Sequence, residues 1–120
     1  MKQTLTKTEH PPRLESFDWG RMEWLLNAES APGSELSLAR MTLDPGRQSP
    51  RHRHENCQEA LHLVSGQVRL WLSETWRELR PGETVLIPQD TPHALENPSA
   101  EAAVLLITYG SGHRRYEALD

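Results

Sequence analysis

Apolar and polar residues alternate over short runs of this chain, and each run ends at a glycine, a proline or a polar cluster. Alternation predicts β-strands, because successive side chains of a strand point to opposite faces of a sheet. Leu36 and Leu38, for example, alternate with Ser37 and Ala39. The pattern predicts strands over residues 22–26, 35–43, 67–72, 84–87, 94–96 and 102–109, and a further strand that begins at about Glu59.

Glycine and proline residues mark the turns between these strands. Gly46 lies in a Pro-Gly turn, and Gly66 closes a tight turn after which residues 67–72 form the returning strand, so the two glycines are expected to bracket one hairpin. Gly82 belongs to another Pro-Gly turn, and the proline-rich segment 88–92 is expected to be a loop. Without repeats or helical periodicity, about eight to ten strands favour an all-β jelly-roll barrel with little helix.

The length and the charge of the chain limit the number of domains and the classes of partner that it can have. The 120 residues suffice for one domain, and we expect an N-terminal arm over 1–15, the domain over 16–112, and a charged tail over 113–120 that forms a short helix or no regular structure. Thirteen basic and seventeen acidic residues are interleaved and give a net charge of -4, so no nucleic acid partner is expected. The first ten residues lack a signal-peptide core, and the longest apolar run, 102–107, is too short for a bilayer. A cytoplasmic protein without membrane contact is therefore expected.

Three histidines and one glutamate form the candidate chemical site. His52 and His54 lie two residues apart, which places both side chains on one face of an extended strand. The segment between His54 and Glu59 must bend the chain to turn the carboxylate towards the same side. His93 follows a Thr-Pro pair that enforces an extended approach into the next strand. Four such ligands from three strands predict a metal site inside a barrel.

These residues, with the glycines and prolines around them, resemble the two motifs of the cupin superfamily. The first motif is filled by Gly46, His52, His54, Glu59 and Gly66, and the second by Gly82, Pro88, His93 and Asn97. The two motifs cover residues 46–97, and the spacer 67–81 resembles that of small microbial single-domain cupins. Asp90 stands where the family usually has glycine, and we expect the turn to survive at a cost of about 1 kcal/mol, because aspartate tolerates the left-handed conformation.

Three imidazoles and one carboxylate suit one divalent first-row ion, which could be Fe, Mn, Ni, Co or Zn. Such a site leaves ion positions open, so the expected partner is a small, oxygen-rich, metal-chelating substrate. The resemblance implies a metal-dependent enzyme in which His52, His54, Glu59 and His93 act through the metal, and a dioxygenase-type oxidoreductase is favoured. A lyase, isomerase or decarboxylase, and a non-catalytic binding or sensing module, stay open as alternatives that turnover would discriminate.

The remaining candidates are assigned mainly to packing and to the surface. Parity with Glu59 and His93 predicts an apolar wall of three leucines, and Cys57 is expected to be a half-buried structural thiol. A homodimer is expected because an open jelly roll leaves an apolar face and edge strands to cover. The other histidines are expected outside the site, the arginines of the first motif on the surface, and the tryptophans in a pocket or a dimer interface. These residues are Leu61, Leu63 and Leu95; His10, His62 and His113; Arg47, Arg51 and Arg53; and Trp19, Trp24, Trp71 and Trp76.

Overall fold

The computed structural model describes residue 8 and residues 11–119, which form eleven β-strands. In chain order they are β1 (Arg13–Phe17), β2 (Gly20–Leu26), β3 (Ser37–Leu43), β4 (His52–Arg53), β5 (Glu59–Ser65), β6 (Val68–Leu72), β7 (Thr75–Leu79), β8 (Thr84–Ile87), β9 (His93–Glu96), β10 (Ala103–Tyr109) and β11 (Glu117–Ala118). Within these residues there is no helix, and hence none that could span a membrane. The all-β expectation is confirmed.

The strands form two antiparallel sheets that face each other as a jelly roll. The six-stranded sheet has the order β1-β2-β3-β10-β5-β8, and the five-stranded sheet has the order β11-β4-β9-β6-β7. Neighbours in the sheets are mostly distant in the chain, as in the pairing of β10 with both β3 and β5. This topology brings the sequence motifs, which lie on β4, β5 and β9, to the space between the sheets.

The core lies between the inward faces of the two sheets. Leu61 pairs with Ile107 on the six-stranded sheet, and Leu70 pairs with Leu95 on the five-stranded sheet. All four side chains are buried, and burial of each contributes roughly 1.5–3 kcal/mol to folding. Leu63 is also fully buried, so the inward parity expected for the leucines after Glu59 and beside His93 is confirmed.

In the first half of β3 the buried face carries small residues, and Met41 and Leu43 follow on the same face. Ser37 and Ala39 are buried, whereas Leu36 precedes the strand and is 56% exposed. Burial of the serine is tolerated because its hydroxyl donates a hydrogen bond to the Ser111 carbonyl at 2.6 Å. The alternation therefore predicted the strand, but the positions of Leu36 and Leu38 did not identify its inward face.

The predicted hairpin closed by Gly66 is wrong. The strand before this glycine, β5, pairs with β10 and β8, whereas the strand after it, β6, pairs with β7 and β9. The turn therefore carries the chain from one sheet to the other. Gly66 has φ of +93°, and a Cβ there would lie 2.7 Å from the Ala103 Cα, so both conformation and space require glycine.

Three strands were absent from the sequence-based prediction. β1 lies partly within the expected N-terminal arm, β7 follows a two-residue turn after β6, and β11 lies within the tail that was expected to be helical or irregular. Each is an edge strand of its sheet or pairs mainly with one neighbour, so none shows a strong inward apolar pattern. The pairing of β11 with β4 places the tail beside the histidines.

The loop over residues 88–92 adopts the turn expected from the second motif. Asp90 has φ of +62°, which is the left-handed conformation predicted for it. Its backbone amide donates to the His54 carbonyl at 2.9 Å, and its carboxylate lies 3.4 Å from the Arg53 guanidinium. The turn thus holds the loop that precedes His93 against the segment that carries the other two histidines.

Candidate metal centre

The three motif histidines lie on or beside neighbouring strands of the five-stranded sheet. His52 on β4 is the direct cross-strand partner of His93 on β9. His54 immediately follows β4, and Arg53 between the two histidines points outward, as the alternation predicted. The ligand nitrogens of the three histidines lie within 4.8 Å of one another, and all three side chains are buried.

Glu59 reaches this cluster from the opposite sheet. It begins β5, where it pairs with Tyr109 on β10, and its carboxylate is buried. One carboxylate oxygen lies 3.2 Å from His54 Nε2 and 3.1 Å from His93 Nε2. The bend between His54 and Glu59 therefore returns the side chain inward, and the two sheets bring all four sequence-predicted site residues together.

The backbone fixes which nitrogen of each imidazole faces the cluster. His52 Nδ1 lies 2.7 Å from the Pro50 carbonyl, and His93 Nδ1 lies 2.8 Å from the Thr91 carbonyl. His54 Nδ1 lies 2.7 Å from the carbonyl of Arg115 in the C-terminal segment. Carbonyl oxygens only accept hydrogen bonds, so each Nδ1 carries the hydrogen and each neutral ring presents an Nε2 lone pair.

The buried atoms that converge here lack hydrogen-bond partners. His54 Nε2, His93 Nε2 and the nearest Glu59 oxygen are buried, and none has a partner among the described residues. Lone pairs that face one another across about 3 Å repel, and buried polar atoms without partners are costly. A cation between them removes both penalties, so this donor set fits a divalent first-row ion.

Burial and mutual proximity shift the pKa values of Glu59, His93 and His52 in different directions. Burial alone would raise the pKa of Glu59, but the nearby His54 and His93 rings, whose Nε2 atoms lie 3.2 Å and 3.1 Å from its carboxylate, lower it to about 2. Burial would lower the pKa of His93, but the Glu59 carboxylate raises it. Burial and the neighbouring His93 lower the pKa of His52 to about 3, so this imidazole stays neutral at ordinary pH.

A cavity of about 440 Å³ opens beside two of the histidines. Its wall is mainly apolar and aromatic, and its polar lining includes His52, His54, Ser49 and Arg114 together with the acidic Glu15 and Asp18. The apolar and aromatic lining residues are Phe17, Trp19, Met22, Met41, Pro50, Tyr109 and Tyr116. A largely apolar cavity with a few convergent polar groups is typical of a small-molecule site.

Sequence reasoning did not identify three residues that complete this site. The Tyr109 ring meets His54 edge-on at 5.1 Å, and the Tyr116 ring stacks on His52 at 4.6 Å. The Arg114 guanidinium lies over the rings of Tyr109, Tyr116 and Trp24. In the sequence, the Gly-Ser-Gly turn after β10 indicated that the chain turns there. In the structure this turn returns the tail to the barrel mouth.

Other histidines and the cysteine lie outside the cluster. His62 is half-buried on the opposite face of β5, where its Nδ1 lies 2.8 Å from the Thr84 hydroxyl, and His113 is exposed. His10 lies outside the described residues. Cys57 is buried, more deeply than expected, and burial raises the pKa of its thiol.

The motif arginines and the tryptophans have distinct surroundings. Arg53 binds Glu117 at 2.6 Å, Arg51 lies over the Trp71 ring at 4.1 Å, and Arg47 is exposed, so none of the three lines the cavity. Trp71 and Trp76 pair across β6 and β7 and are partly exposed. The other two, Trp19 and Trp24, are buried; Trp19 lines the cavity and stacks on Phe17 at 4.6 Å.

Known proteins share this fold and parts of this sequence. A family model described as the cupin domain matches residues 39–109. Germin-like protein 3-8 of Oryza sativa subsp. japonica is 32% identical over 93 residues, which cover 71% of this chain and 41% of that relative. The chain thus spans less than half of that relative's length.

Two solved structures illustrate the likeness of the fold. The oxalate decarboxylase of Lactobacillus farciminis, solved as a formate complex, has a TM-score of 0.80 at 18% identity and covers 90% of this chain and 33% of its own. The polyketide cyclase RemF of Streptomyces resistomycificus has a TM-score of 0.77 at 19% identity and covers 100% of this chain and 87% of its own. Since the family model covers more than half of the sequence, the chain belongs to the cupin superfamily.

Proposed function

We propose that this protein is a metal-dependent enzyme in which His52, His54, Glu59 and His93 bind one divalent first-row ion, Fe, Mn, Ni, Co or Zn. The observation that carries the proposal is the convergence of buried Nε2 lone pairs and a carboxylate oxygen without other partners. Each imidazole is held in the ligating tautomer by a backbone carbonyl, which is the arrangement expected of metal-binding histidines.

The substrate is proposed to be a small molecule that carries both a metal-chelating oxygen group and an apolar, preferably aromatic, body. When bound, the ion would supply Lewis acidity or one-electron redox chemistry. The aromatic wall excludes water from the bound molecule and restricts its orientation by stacking. This lining extends the expectation of an oxygen-rich substrate, since a molecule composed only of polar groups would leave much of the wall uncovered.

The chain also supplies a candidate hydrogen-bond donor. Tyr109 is buried beside His54 and Glu59, and burial raises the pKa of its phenol well above the ordinary value. The hydroxyl therefore stays protonated and can stabilise negative charge that develops on the substrate. No Asp or Glu other than Glu59 contacts the histidines within the described residues, so general-base catalysis by a second carboxylate is not part of the proposal.

For the reaction class we propose a dioxygenase-type oxidoreductase first, on the basis of the ligand set in the two motifs. A non-redox reaction is the second candidate, because RemF, a polyketide cyclase, matches this chain over most of both lengths, and the cavity here suits an aromatic molecule. A lyase, isomerase or decarboxylase belongs to the same non-redox group. This use of a related fold is analogy.

The proposal is tested by measuring first the metal content and then the turnover. The purified chain should bind about one ion, and His52→Ala and His93→Ala should remove it, because each deletes a ligand. His62→Ala is the matched control, since this histidine lies on β5 outside the cluster and should leave the metal content unchanged. Full metal content in both ligand variants would refute the assignment.

Turnover is then measured with catechols, diketones, 2-oxo acids, sugar acids and aromatic polyketones. Oxygen uptake with the iron-loaded or manganese-loaded protein supports the dioxygenase. Conversion under anaerobic conditions with the zinc-loaded protein supports the non-redox group, because zinc does not change its oxidation state. Binding without conversion in either assay supports a sensing or binding module. The cytoplasmic location and the homodimer remain predictions of the sequence.

A further inference from the structure

The C-terminal segment, residues 110–119, lies across the mouth of the cavity and is fastened at several points. The Asn56 side chain donates to the His113 carbonyl at 2.9 Å and accepts from the Arg115 amide at 2.8 Å. Further along, Glu117 binds Arg53, and β11 pairs with β4. The segment therefore has a defined position, and so do the side chains that it directs towards the cavity.

Of the two arginines in this segment, Arg114 has no anionic partner among the described residues. Its guanidinium lies 4.8 Å from the ring centroid of Trp24, 5.1 Å from that of Tyr109 and 5.5 Å from that of Tyr116. Its Nε is buried and makes no hydrogen bond within the described residues. No carboxylate of residue 8 or residues 11–119 forms an ion pair with it, whereas the adjacent Arg115 lies 3.5 Å from Glu55.

The Arg114 guanidinium has donors that no carboxylate of the described residues uses. It lies near three aromatic rings, and a guanidinium carries five N–H groups, so those that do not face a ring or the Tyr109 hydroxyl remain available as donors to a planar anion. Burial of the Arg114 Nε without an acceptor is costly, and a carboxylate that accepts two N–H bonds compensates for that cost. Arg114 also lines the cavity that His52 and His54 line, so one ligand can reach both regions.

We propose that Arg114 is the anion-binding residue of this cavity and that the substrate is an aromatic or apolar molecule with a carboxylate or an equivalent planar anion. This inference rests on the proposed function, and it adds a second attachment point opposite the metal. Glu15 and Asp18 also line the cavity. Neither carboxylate lies within the 4.0 Å of Arg114 that an ion pair requires: Glu15 accepts a hydrogen bond from Trp24 Nε1 at 3.1 Å, and the Asp18 side chain is exposed.

Salicylate and its neutral amide, salicylamide, are suitable probes. Both carry an aromatic ring and a chelating pair of oxygens, but only salicylate carries a carboxylate at pH 7. Isothermal titration calorimetry gives their affinities for the full metal-free chain, because on a zinc-loaded chain the carboxylate of salicylate would be one of its two chelating oxygens and would not report on Arg114. We expect the metal-free chain to bind salicylate at least about 10-fold more tightly than salicylamide, because a bidentate ion pair with a partly buried guanidinium is worth at least one factor of ten.

Arg114→Gln should reduce this preference to about twofold or less, because the glutamine keeps polar atoms but has neither the charge nor the bidentate edge. Arg115→Gln is the matched control: it removes an exposed arginine one residue away and should leave the preference unchanged. Melting temperature and zinc content verify that Arg114→Gln folds and retains its metal. The inference is overturned if the unmodified chain binds both probes equally, or if Arg114→Gln retains the preference.

The metal proposal is tested independently of this result. If the chain takes up no zinc but Arg114→Gln still abolishes the salicylate preference of the metal-free protein, the metal assignment is wrong and the anion site stands. If zinc binds and Arg114→Gln has no effect, the metal assignment stands and the anion site is wrong. The two measurements therefore decide the two statements separately.

Discussion

Deletion of the tail is predicted to weaken metal binding, although no proposed metal ligand lies in the tail. Truncation after Gly112 removes the Arg115 carbonyl, which lies 2.7 Å from His54 Nδ1. Without this acceptor the ring is no longer held in the tautomer that presents Nε2, and its orientation is no longer fixed. Loss of such a hydrogen-bond partner of a ligating histidine costs about 10-fold to 100-fold in metal affinity, or about 1.4–2.8 kcal/mol.

The structure limits how much of the loss can arise from general destabilisation. The tail contributes β11, a strand of two exposed residues, together with surface hydrogen bonds and ring contacts, and the main hydrophobic core of the described residues contains none after Tyr109. The melting temperature of the metal-free chain should therefore fall by only a few degrees, since an edge strand of this size contributes about 1 kcal/mol or less. A large loss of metal affinity with a small loss of stability is the expected combination.

Cobalt or zinc titration against a chromogenic chelator measures the affinity. A full-length chain with Arg114→Gln and Tyr116→Ala separates the backbone carbonyl from the side chains of the tail, because it keeps the Arg115 carbonyl in place. This control should bind the metal within about threefold of the unmodified chain, since neither side chain is a ligand. Equal affinity in the truncated and full-length chains would refute the reasoning, as would an equally large loss in the control.

Four further predictions follow from burial and charge. Glu59→Gln should lower cobalt affinity by at least about 10-fold in the same titration, because the site loses its only carboxylate, and unchanged affinity would exclude Glu59 as a ligand. Leu61→Ala should lower the free energy of unfolding, measured in urea, by about 2–5 kcal/mol. Leu86→Ala, at a position 59% exposed, should change it by less than about 0.5 kcal/mol, and similar losses in both variants would contradict the assigned core. Iodoacetamide should alkylate Cys57 slowly at pH 8 in the folded chain and rapidly in urea, because burial raises the thiol pKa and leaves little thiolate. A fast reaction without denaturant would be inconsistent with this burial. Light scattering should give twice the mass of one chain, since no strand of residues 11–119 pairs with the outer edges of β1 and β8, and a mass of one chain would remove the dimer.

The aromatic cavity changes the choice of substrates for a functional screen. The sequence alone directed attention to small polar chelators, because the four motif residues were the only chemical groups that it brought together. Phe17, Trp19 and Tyr116 come from opposite ends of the described chain and meet at the cavity. Aromatic acids and phenols with a chelating oxygen pair therefore take priority over small dicarboxylic acids.

The sequence by itself determined the local properties of this protein. Alternation of side chains is a property of every extended strand, so the positions of most strands and the inward parity of Leu61, Leu63 and Leu95 could be predicted from neighbouring residues. Glycine at position 66 and aspartate at position 90 likewise follow from local backbone conformation. The shared face of His52 and His54 also follows from alternation, whereas the grouping of Glu59 and His93 with them was predicted from the spacing of the two motifs and their resemblance to the cupin superfamily.

Only the tertiary structure decided which strands pair and what surrounds the four motif residues. The pattern on β5 and β6 is the same whether they form a hairpin or lie in different sheets, because it records burial and not the identity of the neighbour. The tail is exposed and charged, so its sequence gives no burial signal, and its position depends on hydrogen bonds with Asn56 and pairing with β4. The His54 tautomer, the aromatic wall and the unpaired Arg114 therefore emerged only when distant segments were brought together.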